Sequence, residues 1–147
     1  MLLLSTRGLI DLIWKDRDIE ALLSNYRPDQ IHLSVISIGR ATELIKSQIA
    51  PTDPDYHRYN SSLQTTVGMI RSKNNIQPFD DHCATRWAEL LPLTLDALDD
   101  LGSIVPLGDD SRQVVATAWQ NNLQLVEPSQ PYHAVLSASH QLVFKTY

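Results

Sequence analysis

The residues of this chain best placed to do chemistry sit where apolar runs stop and helical patterns begin. Leu2, Leu3 and Leu4 end abruptly at Ser5 and Thr6. Leu9, Ile10, Leu12 and Ile13 then mark one stripe of a helix, with Asp11 and Lys15 pointing elsewhere. A buried strand that runs straight into a helix delivers the junction to the carboxyl end of a sheet, where open α/β folds hold their ligands. Position 5 is therefore the first place to look for chemistry. It holds a serine without a G-x-S-x-G context and without an assigned base. The five histidines, His32, His57, His82, His133 and His140, lack the paired spacing of a zinc site. Cys83 is the sole cysteine, which excludes an internal disulfide and any Cys-based zinc centre; it is expected to pack beside Ala84 and Trp87. Trp14, Trp87 and Trp119 fall at core-like helical positions. Tyr56, His57, Arg58 and Tyr59 form an aromatic and basic cluster that is the best surface candidate for touching a partner.

The elements that must position these residues follow from pattern. At 147 residues, 43% hydrophobic and 20% charged, the chain fits one ordinary globular domain spanning 1–147. A net charge of -5 argues against a broad grip on nucleic-acid phosphates. The apolar start is interrupted by Arg7 and Asp11, too soon for a signal peptide or a membrane span, and a soluble cytoplasmic protein is expected. A second helix begins at Asp16, and a strand over 31–34 leads into a helix that Ser34 or Ser37 could cap. After a turn at 51–54 comes a polar helix over 55–71, then a short strand over 76–79 and a helix over 81–91 capped by Asp80 or Asp81. Residues 93–101 have helical spacing. Residues 104–107 are an apolar piece, 108–111 read as an N-cap box for a helix over 112–122, and 123–126 alternate like a strand. Residues 141–145 have the composition of an edge strand. Strands alternating with helices predict an α/β domain with a central, mostly parallel sheet flanked by helices.

Several short strings, all in order, resemble the PIN-domain ribonucleases, and within them the VapC-type toxins of toxin–antitoxin pairs. The family opens with an apolar run, Asp-Thr-Asn and a helix start such as Leu-Ile-Asp-Leu; here stands Leu4-Ser5-Thr6-Arg7-Gly8-Leu9-Ile10-Asp11-Leu12. Its Ser-Val-Ile-Thr-x-x-Glu-Leu is matched by Ser34-Val35-Ile36-Ser37-Ile38-Gly39-Arg40-Ala41. Its Ala-rich helix after Phe-Asp is matched by Phe79-Asp80-Asp81-His82-Cys83-Ala84. Its Asp-x-x-Ile-Ala-Ala-Thr-Ala, followed by a Leu-Val-Thr strand, is matched by Ser111-Arg112-Gln113-Val114-Val115-Ala116-Thr117-Ala118 and Leu125-Val126-Glu127. The resemblance spans nearly the whole chain and implies a single PIN-like domain.

It also shows what is missing. PIN nucleases gather about four carboxylates at their strand ends to hold Mg2+ or Mn2+, because hard ions need oxygen ligands and the metal activates the attacking water. Carried over, the first Asp becomes Ser5, the Glu becomes Arg40, the third acid becomes Ser111 and the fourth falls near Tyr132; the Asn after the first Asp-Thr becomes Arg7. A hydroxyl is a poor substitute for a metal-binding carboxylate. A guanidinium about 4 Å from the ion costs several kcal/mol even at an effective dielectric of about 20. The resemblance thus implies a degenerate nuclease centre that needs no cofactor.

Three functions remain in view. The favoured one is a catalytically inactive domain that binds a protein, antitoxin-like or part of a larger complex, as a regulatory or scaffolding subunit; it could also form a homodimer. The second is a Mg2+- or Mn2+-dependent endoribonuclease toxin that uses displaced acids, with Glu43, Asp110 and Glu127 as candidates and Asp11 near them. Against it, Asp109 and Asp110 cap a helix, Asp11 and Glu43 lie on solvated faces and Glu127 belongs to a loop. The third is an RNA-binding module, which the acidic charge disfavours. If the fold is right, Arg7, Arg40 and Arg112 come near the same junctions, with Thr6. They either pair with Asp110, Glu43 or Glu127 and fill the old cavity, or contact an anion or a partner's carboxylate.

Overall fold

Three leucines set the frame. The computed structural model describes all of Met1–Tyr147. Its strands are β1 (Leu2–Leu4), β2 (Ile31–Ser34), β3 (Ile76–Gln77), β4 (Asp96–Leu98), β5 (Ile104–Pro106), β6 (Gln124–Val126) and β7 (Phe144–Lys145). Strand β1 is the middle of a five-stranded sheet ordered β3-β2-β1-β6-β7, and every pairing in it is parallel. Side chains alternate across a strand. Leu2 and Leu4 therefore enter one core, with Leu9, Ile13, Ala41, Ile45 and Leu63, and Leu3 enters the other, with Leu90, Val114, Val115, Leu125 and Leu136. A parallel sheet is stable only with both faces covered. One face is covered by α1 (Thr6–Ile13), α2 (Arg17–Leu23), α3 (Val35–Gln48) and α4 (Pro54–Ser72). The other is covered by α5 (Asp81–Leu90), α6 (Asp109–Gln120) and α7 (Tyr132–His140). The expected architecture is the observed one.

Local chemistry explains the boundaries. Ser5, Asp16, Ser34, Asp53 and Asp80 each cap a helix with a side-chain oxygen. Ser34 rather than Ser37 caps α3, and Asp80 rather than Asp81 caps α5.

Three expectations fail, and one helix has no counterpart in the sequence reading. Residues 93–101 are not helical: β4 pairs antiparallel with β5 in a separate hairpin. Pro92 stops the preceding helix. Asp99 Oδ1 then accepts hydrogen bonds from the Leu101 and Ser103 amides at 2.9 and 2.8 Å, and Gly102 takes a left-handed φ of 77°, so turn chemistry overrides the helical spacing. Helix α6 starts at Asp109, capped by the Gly108 backbone without a side-chain hydrogen bond. Helix α7 carries no sequence signal of its start, because Pro128 and Pro131 interrupt its approach and no side chain caps it. Trp14 is exposed rather than core, since it follows the last residue of α1; it meets Tyr59 at 6.2 Å between ring centroids. Tyr56 and Tyr59 pack against the first core, which gives half of the aromatic and basic cluster a structural job. Cys83 is buried, as expected. No helix is long and apolar enough to cross a membrane.

One buried polar group makes stability depend on pH. The Gln77 side-chain amide donates to His32 Nδ1 at 2.8 Å, and His32 Nε2 lies 3.1 Å from Met1 Sδ. Burial, aided by the nearby terminal ammonium, holds the imidazole below its ordinary value of 6.5. The unfolded chain therefore binds the proton more readily. This contribution to stability is complete above about pH 6.5 and is lost as pH falls through the depressed value. Thermal melts are expected to show His32→Gln losing less stability than the unmodified chain between about pH 7 and pH 5.5.

Candidate functional site

The carboxyl ends of β1 and β6, with the start of α6 and the β4–β5 hairpin, enclose a cleft of about 430 Å3. At the end of β1, Ser5 is buried and its hydroxyl is already committed: Oγ accepts from the Gly8 amide at 3.0 Å, while the Ser5 amide donates to Val126 O at 3.1 Å. Thr6 Oγ1 donates to Ser37 Oγ at 3.5 Å, which donates in turn to Leu4 O at 3.4 Å. These contacts tie the end of β1 and the start of α1 to the first turn of α3 through hydroxyls.

At the end of β6 stands Glu127, 8% exposed. Its Oε1 accepts a short hydrogen bond from the Tyr132 hydroxyl and a second from His133 Nε2 at 2.7 Å. The Gln130 amide approaches His133 Nδ1 at 3.4 Å, which assigns the ring proton to Nε2. The His133 ring also stacks on Phe144, with centroids 4.0 Å apart. Burial and the Glu127 carboxylate push the Tyr132 phenol well above its usual range, so it stays a donor. Tyr132→Phe removes one of two donors from this carboxylate, and urea denaturation is expected to show a loss of about 1–3 kcal/mol.

The hairpin roofs the cleft. Leu98 N donates to Gln130 Oε1 at 2.8 Å, and Arg7 Nη1 reaches Asp100 Oδ1 at 2.8 Å. Arg7 Nε also donates to the Asp11 carboxylate at 2.9 Å, and Tyr147 OH donates to Asp11 Oδ2 at 2.7 Å. Asp11 is thus buried at 6% exposure, not solvated as expected, because the Arg7 guanidinium one turn earlier on α1 and the Tyr147 phenol from the far end of the chain cover it. Burial and this hydrogen bond raise the Tyr147 phenol far above its usual range.

The other candidates lie elsewhere. Arg40 places Nη1 3.2 Å from Glu43 Oε2 and Nε 2.9 Å from Asp110 Oδ2, tying α3 to α6 outside the cleft lining. Arg112 reaches neither the cleft nor a carboxylate. It is buried and donates to the backbone oxygens of Leu107 at 3.0 Å, Leu93 at 3.1 Å and Leu90 at short range. Its place follows from the helix end at Pro92: Leu93 O has no amide partner and Leu90 O only the Leu93 amide at 3.2 Å, and the guanidinium fork supplies the further donors.

The structure therefore brings Ser5, Thr6, Arg7, Ser111, Glu127 and Tyr132 into one cleft and leaves out Arg40, Glu43, Asp110 and Arg112. No group of three or more His, Cys, Asp or Glu side chains is arranged to hold a metal ion. Glu43 and Asp110 share a guanidinium, and Glu127 is engaged across the sheet, so the residues present do not fit a Mg2+ or Mn2+ centre. Sequence reading misses the Glu127–Tyr132–His133 trio, since two prolines hide the helix that presents it, and the roof, which lies in the hairpin whose residues have helical spacing.

No family model matches the sequence, and no curated protein does. Solved structures do. The structure of FitAB bound to an IR36 DNA fragment contains a chain similar to this one, with a TM-score of 0.72 and 14% identity, over 99% of this chain and 94% of that one. FitAcB from Neisseria gonorrhoeae gives 0.66 and 17% identity, over 98% and 96%. VapBC-5 from Mycobacterium tuberculosis, a member of the VapBC family of toxin–antitoxin systems, gives 0.65 and 19%, over 99% and 98%. At these identities the likeness defines the fold. This chain shares the fold of these FitAB, FitAcB and VapBC-5 chains.

Proposed function

We propose that this PIN-like domain has lost nuclease chemistry and works by binding a protein partner, as a regulatory or scaffolding subunit. The observation that carries the reading is Arg40 seated between Glu43 and Asp110. The two acids nearest the lost metal-binding positions are neutralised by the residue that replaced one of those positions. Hydroxyls at Ser5, Ser111 and Tyr132 supply no anionic oxygen to offset this. The partner reading draws on the similar structures, which are two-component assemblies matched over nearly their whole chains. It also draws on the half to fully exposed Leu98, Leu101 and Ile104, apolar side chains grouped on the β4–β5 hairpin.

The test pairs two measurements. Incubation with structured and single-stranded RNA in Mg2+ or Mn2+ is expected to leave the RNA intact. Co-expression with the product of the adjacent gene is expected to yield a complex of defined stoichiometry on size exclusion. Metal-dependent cleavage abolished by Glu43→Ala or Asp110→Ala would establish the competing endoribonuclease reading. Tight RNA binding without a protein partner would establish the RNA-module reading.

A further inference from the structure

The cleft keeps one carboxylate oxygen that no group in the protein uses. Of the acids on its wall, Asp99 is committed to the hairpin turn and Asp100 to Arg7. Glu127 differs. Tyr132 and His133 both donate to Oε1, whereas Oε2 accepts no hydrogen bond and is not sealed within the protein. The Glu127 side chain is 10% exposed, held from one side by two donors, and lines the cleft with its second oxygen unpaired. A cationic N–H donor placed on that oxygen makes a charge-assisted hydrogen bond, stronger than one from a neutral donor.

The rest of the cleft fits a small molecule. Leu107, Val114 and Leu125 give it an apolar wall, and its volume of about 430 Å3 lies within the range of ligand pockets. The roof is held on two sides, by Arg7 with Asp100 and by Leu98 with Gln130. That closure suits a free ligand better than a side chain delivered on another protein's backbone.

We infer that the cleft binds a small organic cation, with an amidinium, guanidinium or ammonium head on Glu127 Oε2 and an apolar body against Leu107, Val114 and Leu125. Planar N–H forks match a carboxylate best. The inference does not depend on the protein-partner reading: either stands if the other fails.

Benzamidine is the probe, with benzamide as its neutral and benzoate as its anionic counterpart, followed by amide NMR titration of the full chain. Benzamidine is expected to give saturable shifts centred on Leu98, Glu127 and Gln130, and to bind at least tenfold tighter than either counterpart. Glu127→Gln is expected to weaken benzamidine at least tenfold in a chain whose spectrum remains folded. Should that variant not fold, Val114→Phe, which fills the apolar wall and leaves Glu127 in place, is expected to abolish the shifts. Benzoate binding as well as benzamidine, shifts centred elsewhere, or binding undiminished in the folded variant would overturn the inference. So would engagement of an arginine-containing peptide where benzamidine gives no shift.

Discussion

Arg112→Met is expected to destabilise the domain by about 3 kcal/mol or more. The substitution keeps an apolar stem of similar length but removes every N–H that reaches Leu90 O, Leu93 O and Leu107 O. Leu93 O and Leu107 O are left without a donor, at about 1–3 kcal/mol each, and Leu90 O keeps only the Leu93 amide at 3.2 Å. They sit where α5 ends, where the hairpin departs and where α6 begins, so the loss falls on one junction rather than across the molecule. Arg112→Lys keeps the charge but not the planar fork, and is expected to fall between the two. Urea denaturation of the three proteins checks the order. A methionine variant as stable as the original would show that the guanidinium is not what joins these segments.

Gly8→Ala is expected to cost about 1–3 kcal/mol, although helix propensity alone argues the opposite sign. Alanine in a helix is favoured over glycine by about 1 kcal/mol. At this position, however, a Cβ would lie 2.8 Å from Val126 O, with Ile19 Cδ1 and Ser5 Oγ each at 3.5 Å. Val126 O is backbone and already accepts from the Ser5 amide, so relief requires α1 and β6 to separate. That movement would displace Glu127, the next residue, and with it the cleft. Two other helical glycines supply the contrast. Gly39 in α3 and Gly68 in α4 are exposed, and a methyl added at either would meet nothing within 4 Å. Alanine at either is expected to stabilise by about 0.5–1 kcal/mol. Denaturation midpoints for the three substitutions separate steric from conformational effects, and stabilisation by Gly8→Ala would mean the strand and helix are less tightly packed than described.

Much of the architecture is legible because local and global signals agree. Leu2–Leu4 is apolar on both faces, as a central parallel strand must be, and the oxygens at Ser5, Asp16 and Ser34 announce helix starts that the structure keeps. Where reading fails, two signals compete or the partner is remote. Residues 93–101 carry helical spacing, yet Pro92, Asp99 and Gly102 decide the backbone. Asp11 looks like a solvent-facing helix residue until Tyr147, at the far end of the chain, closes over it. Arg112 looks like a pocket cation by its place beside Ser111, but neighbouring helix positions point in different directions, and its fork turns to the carbonyls of Leu90 and Leu93 where α5 ends. At the site, the lack of an acid at 5, 40 and 111 is plain in sequence. The use of Glu127 as a carboxylate clamped by Tyr132 and His133 is not, because its partners arrive on a helix that the prolines conceal.

The proposed loss of nuclease chemistry requires that Ser5, Arg40 and Ser111 leave no site for a divalent metal ion. Titration of the purified chain with Mn2+, reading the free aquo ion by electron paramagnetic resonance, tests it without reference to any substrate. The free-ion signal is expected to rise in proportion to added Mn2+ up to millimolar concentrations, as it does in buffer. Stoichiometric depletion of that signal, abolished by Glu43→Gln or Asp110→Asn, would contradict the claim.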